Sequence, residues 1–135
     1  MGKEEIIAFF VSMTTEEKKA YMLLKSVIFH YHGLDEDEMI NLQETAEKLD
    51  AHDELSWANT FISEDYFNSF ERARDYLNEL VGGFELQKRI DLIKMVWEAN
   101  QLKGYVTEFE AASIIKIAKD WKVENALLRI IEEGR

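Results

Sequence analysis

The chain is 135 residues long, carries a formal net charge of −11 and contains neither cysteine nor proline. That length predicts a single domain over residues 1–135 that buries roughly two thirds of its unfolded surface. The missing cysteines exclude disulfides, thiolate metal ligands and a cysteine nucleophile, and the acidic balance opposes binding to nucleic-acid phosphates.

Taken in chain order, the apolar residues recur with helical spacing. Ile6, Phe9, Phe10 and Met13 fall at i, i+3, i+4 and i+7, which predicts a helix over 3–12 with one buried face. Thr14 or Thr15 caps a second run over 15–31, with Glu17 placed for a capping box and Tyr21, Leu24, Val27, Ile28 and Tyr31 as the stripe. A third run over 36–49 turns Met39, Leu42, Ala46 and Leu49 inward and shows its acids on the other side. Residues 51–63 read as a connector with room for a short helix anchored by Trp57 and Phe61. Ser63 caps a run over 64–81 built on Phe67, Phe70, Ala73, Leu77 and Val81, which Gly82 and Gly83 end. Three more runs follow: 84–101 on Leu86, Ile90, Ile93, Val96 and Trp97; 108–120 on Ala111, Ile114, Ile115 and Ala118; and 124–133 on Val123, Ala126, Leu127, Ile130 and Ile131. The predicted fold class is all-α, with about seven helices. No apolar run approaches the roughly 20 residues that span a bilayer, and the start of the chain carries acids where a signal peptide is basic. A cytoplasmic protein without a membrane span is the expectation.

Part of the pattern occurs twice. Leu24, Val27 and Ile28 precede Gly33, as Ile93, Val96 and Trp97 precede Gly104. The chain then restarts on a capping box, Asp35 to Glu38 in one copy and Thr107 to Glu110 in the other. An offset of 72 residues also lays Leu42 on Ile114, Ala46 on Ala118 and Leu49 on Trp121. Two pseudo-symmetric helix hairpins, 15–49 and 84–120, are predicted.

These residues resemble the TerB-like tellurite-resistance family, whose repeats carry an apolar helix, an Asp-Gly-x-Val or Ile loop, a Glu four residues later and a second apolar helix. Lys103-Gly104-Tyr105-Val106 stands at the loop of the second copy, Glu110 falls on the Glu, and Trp121-Lys122-Val123 on the closing turn. In the first copy His32-Gly33-Leu34 is one residue shorter and Glu38 takes the Glu position. The resemblance covers about residues 15–133. It implies an all-helical, acidic-faced, non-enzymatic protein that works with stress-response or membrane-associated partners and binds cations through the loop Asp and nearby carboxylates. Here the loop Asp is His32 in one copy and Lys103 in the other, and a protonated lysine cannot ligate a cation.

Candidate sites follow from charge. Residues 34–54 hold nine acids and one base, a block that attracts cations or basic surfaces. Asp35, Glu36 and Asp37 are the candidate ligands for calcium or another divalent cation, although they match no EF-hand frame and acids in a first helical turn also favour its dipole. Glu44, Glu47, Asp50, Tyr105 and Phe109 are candidate partner-facing residues, for a protein partner that is basic or membrane-associated. His30 and His32 form a His-x-His, but residues two apart on one helix point to opposite sides, which disfavours a shared zinc. Catalytic fingerprints are missing, so no catalytic residue and no resident cofactor is assigned. A helix-turn-helix reading of IAKDWKVENALLRII, with Leu128 returning to the core, is the alternative from another class, as is an uncharacterised enzyme. The would-be recognition helix carries Glu124, Glu132 and Glu133 against Arg129, which argues against phosphate contacts.

Overall fold

The computed structural model describes residues 13–30, 34–101 and 106–134. The run over 3–12, and with it Tyr31, His32, Gly33, Lys103, Gly104 and Tyr105, lies outside the described residues.

Helix α1 (Thr15–His30) begins where the Thr14 hydroxyl accepts the Glu17 N–H at 3.1 Å and donates to the Glu17 carboxylate at 3.2 Å. That carboxylate also pairs with Lys88 at 2.7 Å. Every residue from Ala20 to Phe29 is buried, the signature of a helix that sits inside a core with no solvent face. Around it lie α2 (Glu36–Leu49), α3 (His52–Glu64), α4 (Ser69–Val81), α5 (Leu86–Gln101) and α6 (Glu108–Asp120), and α7 (Glu124–Glu133) closes against α5 and α6. Among the described residues there are seven α-helices, a 3₁₀ turn at Tyr66–Asn68 and no strand. The protein is all-α.

Both predicted capping boxes form. Asp35 accepts the Glu38 N–H at 2.7 Å while Glu38 accepts the Asp35 N–H at 3.2 Å, and Thr107 and Glu110 exchange the same two bonds at 3.1 Å each. The correspondence extends past the helices. Asp50 and Lys122, 72 residues apart, both adopt the left-handed conformation at the helix end (φ 52° and 59°), and the N–H groups of Ala51 and Val123 return to the carbonyls of Ala46 and Ala118 at 2.8 and 2.9 Å. A new helix starts one residue later in each case, with Leu55 and Leu127 buried at equivalent places. The short helix for which 51–63 left room is present and fills the stretch: α3 buries Leu55, Ala58 and Ile62 and leaves little connector. Trp57 and Phe61 pack on its edge with Tyr76, ring centroids 5.2–5.7 Å apart. Because Lys122 has a Cβ in a left-handed conformation, Lys122→Gly is expected to raise stability by about 0.5–1 kcal/mol in urea unfolding.

Other expectations fail for identifiable reasons. Ser63 caps nothing, since its hydroxyl bonds the Thr60 carbonyl at 3.0 Å within α3. The chain breaks at Asp65, and the Tyr66 hydroxyl donates to the His30 carbonyl at 3.0 Å, tying the 3₁₀ turn to the end of α1. That break shifts the helical phase, and Phe67, predicted as core, is 98% exposed. Phe67→Ser is accordingly expected to move stability by less than about 0.5 kcal/mol, whereas Phe70→Ala, on a buried ring, should cost about 3 kcal/mol in the same urea titration. In α2 the first inward position belongs to Glu38, whose carboxylate turns back onto the cap, so Met39 points out. Leu86, the first residue of α5, is exposed. Leu128 is exposed as well and does not return to the core as a helix-turn-helix would require.

Candidate functional site

Helix α2 is amphipathic by construction. Leu42, Ala46 and Leu49 bury one face against α1 and α3, and the capping box fixes the rotation at which the helix starts. The outer face then carries Glu36, Met39, Ile40, Gln43, Glu44 and Glu47, which line a shallow depression of about 350 Å³. Met39 and Ile40 are 53% and 49% exposed. An adjacent exposed apolar pair rimmed by carboxylates is the arrangement expected of a recognition surface with an apolar centre and a charged rim.

The predicted residues fall into three groups. Glu44 and Glu47 stand on this face beside Met39 and Ile40. Asp50, at the left-handed end of α2, is exposed, and its carbonyl accepts Lys18 at 3.2 Å. Phe109 is 63% exposed but sits in the first turn of α6, away from α2 in sequence, and Tyr105 lies outside the described residues.

Of the candidate cation ligands, Asp35 uses its carboxylate on the Glu38 N–H, and Glu36 and Asp37 are exposed in the first turn of α2. Among the described residues no three His, Asp or Glu side chains converge as a ligand set. His30 packs edge-on against Tyr66 at 6.2 Å, and burial holds its imidazole below the usual range, with Nε2 buried and without a hydrogen bond. Its companion His32 lies outside the described residues.

One group belongs to no sequence motif. Lys25, 2% exposed, lines a cavity of about 190 Å³ between α1, α2 and α5 together with Tyr21, Asn41, Glu44, Lys48 and Glu98. Its ammonium donates to the Thr45 hydroxyl at 2.6 Å and lies 5.6 and 5.8 Å from the ring centres of Tyr21 and Phe29. Burial pushes its pKa down to about 8, Lys48 adds to the fall, and Glu44 partly opposes it. The one signal of it in the sequence is a lysine inside the apolar run Leu23-Leu24-Lys25-Ser26-Val27.

No family model, curated protein or solved structure matches the chain. Among the described residues no helix is long and apolar enough to cross a membrane.

Proposed function

We propose that the protein is a non-enzymatic interaction module that uses the outer face of α2 to hold a basic amphipathic helix of a partner protein. The observation that carries this is the exposed pair Met39 and Ile40 set among Glu36, Glu44 and Glu47. An occupant that matches such a face places an apolar stripe on the pair and lysines or arginines against the three carboxylates. Covering two half-exposed apolar side chains contributes about 1 kcal/mol each, and the carboxylates add attraction that salt weakens. A TerB-like identity and a role in stress or tellurite resistance belong to the same proposal, supported by two acidic-headed hairpins with capping boxes. Nucleic acid is not the partner in this reading, because the α2 face and the whole chain carry the wrong sign.

Asp35 is a poor residue with which to test it, since removing its cap would unsettle α2 itself. The informative variants are Glu36→Gln, Glu44→Gln and Glu47→Gln combined, and Met39→Ser with Ile40→Ser. Binding is measured by fluorescence anisotropy against a 20-residue helical peptide with a Leu stripe and a Lys face, and against the same peptide with Glu in place of Lys. Each combined variant is expected to weaken the Lys peptide about tenfold, corresponding to about 1.4 kcal/mol, with the effect of the Gln variant shrinking at high salt. Equal affinity for the Lys and Glu peptides, or micromolar binding of duplex DNA at physiological salt, would sink the proposal.

A further inference from the structure

The cavity at Lys25 has the makings of a reactive site of its own, sharing Glu44 with the α2 face. A lysine ammonium has three N–H donors, and only one of Lys25's is used, on Thr45. Among the described residues it has no carboxylate within ion-pair distance, although most buried lysines are paired. Asn41 Oδ1 is buried without a hydrogen bond, and the Tyr21 hydroxyl forms none with a described group. Three polar groups with unfilled capacity thus line the same space. Charged groups of both signs stand at its exposed rim, Lys48 beside Glu44 and Glu98, with Lys25 within. A cavity with a rim of mixed sign inside a strongly acidic chain does not favour an anion, and Lys25 and Lys48 do not favour a cation. A small neutral polar molecule fits best, and a volume of about 190 Å³ admits one of benzene size or below.

We propose that this cavity captures small aldehydes, of about two to four carbons, as an imine on Lys25 Nζ. Lys25 first gives one proton to water. Its lone pair then adds to the carbonyl carbon as the C=O π electrons move to oxygen, and the oxygen takes up a proton to give the carbinolamine. Loss of its hydroxyl group with a second proton, as water, leaves the protonated C=N bond. Amine and aldehyde become imine and water, with no oxidant or reductant. Burial and the neighbouring Lys48 favour the neutral amine, the form with the lone pair, in the manner by which a desolvated lysine beside a second cation is activated. Burial also holds the Tyr21 hydroxyl protonated through the alkaline range, with Glu98 adding to it, which leaves a donor for the carbonyl oxygen.

The test uses the intact chain with propionaldehyde and cyanoborohydride at pH 7.4, followed by peptide mapping of early time points. Lys25 should be alkylated at least tenfold faster than Lys48 or the exposed Lys122, with a rate that rises through a midpoint near pH 8. A bulky aldehyde, naphthaldehyde, should lose that preference at least tenfold while still modifying Lys122. Filling the cavity with Ala99→Leu should abolish the preference in a protein whose circular dichroism is unchanged; if that variant does not fold, the aldehyde size series on the natural chain decides alone. Alkylation of Lys25 no faster than of Lys48 would overturn the proposal. So would a preference that survives naphthaldehyde, because reaction would then proceed through opening of the fold and not in the cavity.

Discussion

Raising the pH from 7 to 10 is expected to stabilise the fold by about 2–3 kcal/mol, and Lys25→Met is expected to abolish that gain. The Lys25 pKa is pushed down to about 8 by burial in the core, whereas the unfolded chain returns it to about 10.4. Between these values the unfolded state binds more protons than the native state, so stability rises with pH across the window. Below pH 8 the folded protein holds a charged ammonium in a buried place, and that cost is fully present. Above pH 10 Tyr21 acts in the opposite sense: burial raises its hydroxyl pKa, the unfolded tyrosine ionises first, and stability falls again. The stability profile should therefore peak near pH 10, a position unusual for an acidic protein. Methionine matches lysine in length without the charge, so the variant should show a flat profile from pH 7 to 10 and be at least as stable as the natural chain at pH 7. Urea unfolding at half-unit pH steps measures both. A natural chain whose stability does not rise from pH 7 to 10 would mean that water reaches the ammonium freely.

What the sequence reveals and what it hides divide along the range of the forces involved. Helix periods and caps are local, so the two boxes at Asp35 and Thr107 and the buried stripes behind them are legible in the order of residues alone. Residues 51–63 read as a connector with room for a short helix because Leu55, Ala58 and Ile62 give only three inward positions among polar neighbours. Extending the 72-residue offset beyond Leu49 and Trp121 sets this stretch against the helix at 124–133 and fills it with helix. Phe67 cannot be placed from its spacing, because the bond from Tyr66 to the His30 carbonyl that breaks the helical phase spans 36 residues. The acidity of the α2 face is plain in the composition of 34–54. Its apolar centre is not, since whether residue 38 or residue 39 points inward depends on how the cap orients the first turn. Lys25 is the same lesson reversed: its neighbours in the chain announce burial, but only the packing of α2 and α5 against α1 makes a cavity beside it.

Arg74→Ala is expected to cost about 2–3 kcal/mol, between the near-zero worth of exposed ion pairs and the roughly 3–5 kcal/mol lost on breaking buried ones. Arg74 on α4 forks onto Asp120 at the end of α6 through Nε and Nη2, the latter at 2.9 Å. Asn78 donates to the same carboxylate at 2.9 Å and accepts the Trp121 indole N–H at 3.0 Å. Arg89 of α5 completes the junction with a bond to the Trp121 carbonyl at 2.8 Å. Removing the guanidinium strands a carboxylate whose side chain is only 16% exposed, with Asn78 as its remaining neutral donor. The Arg74 hydrogen bonds hold the Asp120 carboxyl below the usual range, Asn78 helps, and desolvation opposes. A depressed carboxyl contributes stability that is present above its unfolded value, about 3.9, and lost as the pH falls through its folded value. The difference between Arg74→Ala and the natural chain should accordingly be largest at neutral pH and shrink in strong acid. Arg74→Lys keeps the charge but loses the fork, and should recover less than half of the loss. Urea unfolding of the three proteins at pH 7 and at pH 3 separates this junction from a surface pair: a cost below about 0.5 kcal/mol, the same at both pH values, would show that the α4–α6 contact is held by Trp121 packing alone.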